Sequence, residues 1–289
     1  MRHSKPMALA ITVAVLICGP GLAVRSETLV ERGAYLVNGI GSCGNCHSPQ
    51  EPNGTLAGAP FSGGPAITSP AFTVYPPNLT SDPETGLGRW TEAQIVTALR
   101  EGLRPDGRVL RPPMPIALYR GLSDRDAAAI AAYLKTLPPT VSQVPPAEYR
   151  GPVPASYGPP IAGIGDPNPA DKIETGRYLV QFGHCMLCHT PLNAAHQPDY
   201  ARQFGAGGLV LTGKFGERVT PNITPDKETG IGGWSDAEIR KSLTTGETPT
   251  GAVLGPPMPW HYLAKMTDAD IDAVVVYLRT IPPIRHKVN

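Results

Sequence analysis

Cys43-Gly44-Asn45-Cys46-His47 and Cys185-Met186-Leu187-Cys188-His189 each place two thiols three positions apart, with an imidazole directly after the second. This C-x-x-C-H spacing is the c-type haem attachment motif. The thiols can form thioethers with the two vinyl groups of one haem, and the adjacent histidine can take an axial position on its iron. A zinc site would need four ligands, and each motif has little around it to complete one. A thioredoxin-like pair would sit in a βαβ pattern, and none surrounds either motif. Structural disulfides would leave the repeated histidine unexplained. The expected cofactors are therefore two covalent c-type haems.

Each iron then needs a sixth ligand, or it is open. Beyond the apolar N-terminus, the first motif's half of the chain holds one histidine, His47, and one methionine, Met114. Met114 is the conventional candidate there. The second half offers Met186, Met258 and Met266, with His184, His196, His261 and His286. Met258 shares with Met114 the frame Pro-Pro-Met-Pro, whose prolines stiffen the loop. Met186 lies inside the haem loop and is poorly placed. His184 and His261 read as surface or packing residues. The bland alternative is that both framed methionines are core filler. The metal ligands expected are His47, Met114, His189 and Met258. Such His/Met ligation raises the haem potential and leaves no open coordination site, which suits carrying electrons.

The elements that must position these groups are duplicated. Pro77-Asn78-Leu79-Thr80 matches Pro221-Asn222-Ile223-Thr224, Trp90 matches Trp234, and Pro112-Pro113-Met114-Pro115 matches Pro256-Pro257-Met258-Pro259, all at an offset of 144. Gly33-x-Tyr35 matches Gly176-x-Tyr178 at 143. Each copy reads as a helix entering the haem motif, a middle helix from Thr91 or Ser235, and a last helix from Ser123 or Thr267 that stops before Pro138 or Pro282. Thr91 with Gln94 and Ser235 with Glu238 are capping-box patterns. Strand signals are sparse, so an all-α fold is expected. Asn78, Thr80, Asn222 and Thr224 read as loop-fixing hydrogen bonders. Trp90 and Trp234 are candidate cofactor-binding residues, either donating an indole N–H to a haem propionate or packing in the core.

The chain has 289 residues and five cysteines, four of them in the two motifs and the fifth, Cys18, in the N-terminal apolar run. Residues 1–26 read as an export leader: Arg2, His3 and Lys5, then an apolar core from Met7 to Cys18, then small residues around Ala23. A retained anchor is the alternative. The predicted division is leader 1–26, first domain 27–137, linker 138–170 and second domain 171–289. The linker contains ten prolines and is expected to lie extended across the domain surfaces, pinned by Tyr149 and Tyr157, or else to act as a flexible tether. The net charge of +1 gives no sign of a nucleic-acid binder.

These residues resemble the class I cytochrome c family in a dihaem form. The proximal histidines, the framed methionines and the tyrosines of the first and last helices carry the likeness. The resemblance implies two tandem class I domains joined by the Pro-rich linker. More closely, Pro-Asn-[Leu/Ile]-Thr, the turn ending in Trp90 or Trp234, and Pro-Pro-Met-Pro resemble the cytochrome subunits of bacterial periplasmic dehydrogenases that oxidise alcohols, aldehydes or gluconate. That likeness implies a periplasmic electron carrier. Its partners would be a periplasmic or membrane-bound dehydrogenase and a downstream oxidase, cytochrome or quinone-linked acceptor. This chain has two haem motifs where the alcohol and gluconate subunits have three, and no C-terminal anchor is seen. A soluble shuttle or a dehydrogenase subunit is the better fit.

The two copies differ in charge. Arg89, Arg100, Arg104, Arg108, Arg111, Arg120 and Arg125 bring residues 89–125 to +3, whereas residues 233–269 stand at −1. The first five arginines are expected to present a basic rim to an acidic partner, with scattered solvated arginines as the bland reading. The rival function is a dihaem enzyme, of peroxidase or thiosulfate-oxidising type. It would need a labile haem ligand or a spare cysteine.

Overall fold

Thr28 and Glu31 cap each other's backbone, so the first helix, α1 (Leu29–Asn38), starts with a closed capping box. The computed structural model describes residue 1, residues 26–151 and residues 153–288, so nearly all of the segment read above as an export leader lies outside the described residues. After α1 come α2 (Cys43–His47), a hairpin of β1 (Ile67–Ser69) and β2 (Phe72–Val74), α3 (Glu92–Glu101), α4 (Ile116–Tyr119) and α5 (Asp124–Thr136). The second copy repeats this order. It runs α6 (Lys172–Phe182), α7 (Cys185–Cys188), β4 (Val210–Gly213), β5 (Gly216–Val219), α8 (Asp236–Thr245), α9 (Trp260–Leu263) and α10 (Asp268–Thr280). Between the copies lies β3 (Glu148–Tyr149).

The all-α expectation is overturned. Helices make up about 32% and strands about 9%, and no helical bundle dominates. β1, β2 and β3 form one antiparallel sheet and β4 with β5 another. The strands run two to four residues, too short for an alternating pattern to register in sequence. Long irregular loops supply the rest.

In each copy the first and last helices cross in close contact, and glycine makes this feasible. A Cβ on Gly33 would strike the Ala129 carbonyl and come within 2.7 Å of the Tyr133 Cβ. On Gly176 it would strike the Ala273 carbonyl and come within 2.7 Å of the Tyr277 Cβ. This is the physical content of the repeated Gly-x-Tyr. Middle helices α3 and α8 open with the expected capping boxes at Thr91 and Ser235 and close on Gly102 and Gly246 in the left-handed region.

One apolar cluster runs through both copies. Leu36, Val37, Ile130 and Leu134 of the first join Leu179, Val180, Ile271 and Val275 of the second. Tyr119 and Phe182 meet across the boundary with ring centroids 5.4 Å apart. The residues between the copies are tied down along the first. Tyr149 pairs with Phe72 in the sheet and donates its hydroxyl to the Pro112 carbonyl at 2.9 Å. Tyr157 packs over Gly102. Arg120 donates to the Pro159 carbonyl at 2.8 Å, and the Gly163 amide to Asp124 at 2.9 Å. Among the described residues no helix is long and apolar enough to cross a membrane.

Candidate functional site

Ser42 and His184, each just before the first cysteine of a motif, adopt the left-handed region at φ 41° and 45°. That kink starts a new short helix at the cysteine. Within it, positions i, i+3 and i+4 share one face, so Cys43, Cys46 and His47 lie along one side of the short helix. Cys185, Cys188 and His189 repeat the arrangement. All four thiols are unpaired. Desolvation first, and the neighbouring thiol second, push Cys43 and Cys185 up to about 12. A thiol held neutral is a poor nucleophile or metal ligand.

The two histidines are buried and oriented alike. His47 Nδ1 lies 2.8 Å from the Pro77 carbonyl and His189 Nδ1 lies 2.8 Å from the Pro221 carbonyl. A carbonyl oxygen only accepts, so the proton sits on Nδ1 and the lone pair on Nε2. This is how an axial imidazole is fixed in tautomer and direction. Desolvation holds both rings below the usual histidine range, with the hydrogen bond opposing it.

The carbonyls that orient these rings are themselves pinned. Asn78 accepts from the Thr80 amide at 2.9 Å and its hydroxyl at 2.7 Å. Its amide donates to Thr85 Oγ1 at 3.0 Å and to the Thr140 carbonyl at 2.7 Å. Asn222 does the same with Thr224, Thr229 and Ile284. These residues sit where the loop-fixing reading put them.

Met114 and Met258 each lie two residues before a short helix, α4 or α9, and pack against the core half-buried. The peptide bond before Pro113 and before Pro257 is cis. Trp90 and Trp234 also pack half-buried on the core. Their carbonyls end turns closed by a cation of the last helix: Lys135 donates to Trp90 O at 2.9 Å, and Arg279 donates to Trp234 O. The His184 ring lies beside Tyr119, tilted by 53° with centroids 6.5 Å apart. His261 is exposed beside Trp260 and Tyr262.

One arginine of the predicted basic rim is elsewhere. Arg100 is 3% exposed and pairs with Asp124 at 2.6 Å, because α3 turns this position toward the start of α5. Arg89, Arg104, Arg108 and Arg111 keep solvent exposure, with Arg104 over the Trp90 ring and Arg111 over Tyr149.

Several contacts had no signal in the sequence. Tyr262 of the second copy places its hydroxyl 2.5 Å from where a Cβ on Gly44 would lie. Asn45 donates to the Pro257 carbonyl at 3.2 Å. Each joins residues more than two hundred positions apart, and only the duplication hinted that the copies were comparable.

Among the described residues no group of three His, Cys, Asp or Glu side chains gathers to hold a metal ion. The donor set in each copy, two neutral thiols one turn apart beside an imidazole with free Nε2, fits a covalently attached haem. The chain matches the cytochrome c family model twice, over residues 30–138 and 173–282. It is 34% identical to the fructose dehydrogenase cytochrome subunit of Gluconobacter japonicus, over 98% of this chain and 60% of that one. It is 30% identical to the alcohol dehydrogenase (quinone) cytochrome c subunit of Gluconobacter oxydans, over 100% of this chain and 62% of that one. A diheme cytochrome c-type protein of Cereibacter sphaeroides is 32% identical over 84% of this chain and 83% of its own length. The chain thus spans about three fifths of the length of the dehydrogenase subunits it matches.

Proposed function

The chain belongs to the cytochrome c family, and we propose on that footing that it carries electrons from a dehydrogenase to a downstream acceptor of a respiratory chain. Its cofactors are two covalently bound c-type haems. In this reading Cys43 and Cys46 would hold the first haem covalently, and His47 Nε2 and the Met114 thioether would be its iron ligands. Cys185, Cys188, His189 and Met258 serve the second. Residues 27–137 and 171–289 would each form one haem domain, joined by 138–170, and residues 1–26 would direct export to the periplasm. Each haem supplies one-electron exchange at iron. The protein's own residues fix the tautomer of each histidine and would offer a methionine thioether as the second iron ligand, a ligand pair that suits electron transfer.

The observation that carries this reading is the duplicated histidine geometry: in both copies Nδ1 is committed to a proline carbonyl at 2.8 Å. That commitment leaves the Nε2 lone pair for an iron. The dehydrogenase partner rests on the names of the relatives. The exposed arginines Arg89, Arg104, Arg108 and Arg111 would present the first domain to an acidic partner surface, while Trp90 and Trp234 pack beside the haems.

The test is the visible spectrum of the fully reduced protein with and without carbon monoxide. An unchanged spectrum is the expected result for two six-coordinate irons. Rapid binding at either haem would overturn the carrier reading in favour of a dihaem enzyme with a labile ligand.

A further inference from the structure

The methionine loops of the two copies are anchored differently. In the first, the carbonyl of Pro112 accepts the Tyr149 hydroxyl at 2.9 Å, so the loop of Met114 is tied to the segment between the copies. In the second, the carbonyl of Pro257, directly before Met258, accepts the side-chain amide of Asn45 at 3.2 Å. Asn45 is one of the two residues between Cys43 and Cys46. A side chain inside the first haem-attachment helix therefore holds the loop that carries the second copy's methionine.

The donor is well supported. The backbone of Asn45 is fixed at both ends: its N–H donates to the Ser42 carbonyl at 2.8 Å, and its carbonyl accepts from the Gln50 side-chain amide at 2.8 Å. The same region clamps the loop on either side: Gly54 lies against the Pro256 ring, and Gly44 against the Tyr262 hydroxyl. At the far end Trp260 donates its indole N–H to the Leu254 carbonyl at 2.8 Å. The peptide that carries the 257 carbonyl is held from both ends: inside the loop the Met258 N–H donates to the Gly255 carbonyl at 3.2 Å, and from the first copy Asn45 donates to the 257 carbonyl itself. The contact is one-way, because the counterpart of Asn45 is Leu187, which has no donor to offer Pro113.

We propose that Asn45 is a positioning residue for Met258, which ties the sixth ligand of the second haem to the attachment helix of the first. The inference rests on the reading of Met258 as that ligand. Losing the hydrogen bond frees the loop, so the thioether leaves the iron more often.

The experiment uses the reduced dihaem protein and the rate at which carbon monoxide enters each haem. The Met258→Ala variant comes first. It should open one haem to immediate binding and thereby identify the second haem's spectrum. Asn45→Ala should then speed entry at that same haem roughly threefold to tenfold, the range one net hydrogen bond spans, and leave the other haem unchanged. Asn45→Asp keeps the shape and removes the donor. It should do the same and serves if the alanine variant assembles poorly. The redox potential of the second haem should fall in both. If Met258→Ala takes up no carbon monoxide, the ligand reading fails and this inference with it. If Met258→Ala opens the haem but both Asn45 variants behave as the parent, the role of Asn45 is overturned and the ligand reading stands.

Discussion

Tyr178 donates its hydroxyl to Asp126 across the boundary between the repeats, at 2.8 Å, and Tyr35 donates to Asp270 in the opposite direction. The two tyrosines are counterparts, as are the two aspartates, so the exchange is a pseudo-twofold pair. Each hydroxyl also accepts a backbone amide of its partner helix's cap, Ser123 N at 3.3 Å and Thr267 N at 3.0 Å. Desolvation first, then the aspartate, raises both phenols, Tyr35 to about 12. They stay protonated and able to donate at any pH the protein meets.

The pair is not symmetric in strength. Asp126 is 1% exposed and also holds Arg32 through two bonds of 2.8 Å. Tyr178→Phe should therefore cost about 1 kcal/mol, one net hydrogen bond, with Asp126 still paired. Arg32→Leu should cost about 3 kcal/mol, because it strands a buried carboxylate. Denaturant midpoints of the two variants would check the order. Equal losses would show that Arg32 is not the partner on which buried Asp126 chiefly depends.

The crossing glycines lead to a sharper loss. An alanine methyl at position 33 or 176 would meet a backbone carbonyl of the last helix, and neither helix can give way without opening the core. Gly33→Ala and Gly176→Ala should each destabilise by about 2–3 kcal/mol, the cost of overpacking. A thermal midpoint unchanged in either variant would mean that the helices slide freely past each other.

The haem motifs and the helix starts were legible in the sequence because each rests on short-range spacing, and the duplication supplied a second instance of each. The hairpins were not, since Ile67–Ser69 and Phe72–Val74 are too short to show a period. Tyr35 and Tyr178 were visible as repeated residues. That they reach into the other copy depends on partners 235 and 52 positions away. Arg100 looked like its neighbours, and only the packing of α3 on α5 shows it buried beside Asp124. Asn45 stood at a variable position of its motif, and nothing local marks it.

His184 makes the fold sensitive to acid. Desolvation pushes its ring down to about 4, whereas the unfolded side chain titrates near 6.5. Below the unfolded value the unfolded chain binds the extra proton, so stability falls as pH drops from about 6.5 to 4, by up to about 3 kcal/mol. Ser42 holds the same left-handed conformation in the first copy, so a serine can occupy this backbone geometry, and His184→Ser should lose less stability over that window. Denaturation at pH 7 and pH 4.5 decides it. Parallel losses in parent and variant would assign the acid sensitivity to other groups.

The exposed arginines give the last prediction. Arg104 and Arg108 share one acidic partner, Asp106, at 3.3 and 2.7 Å, and the Arg108 bond first of all draws Asp106 down to about 2. The acid therefore stays ionised at neutral pH and offsets one of the two positive charges, leaving a net positive face beside Trp90. Surface pairs of this kind add little stability, so their removal should leave folding intact while weakening long-range steering. With Arg104→Gln and Arg108→Gln combined, electron exchange with the dehydrogenase partner proposed above should slow roughly threefold at low salt and converge on the parent rate at high salt, where screening removes the difference. Stopped-flow reduction across a salt series measures both features. A rate and a salt slope equal to the parent's would place the partner on another face.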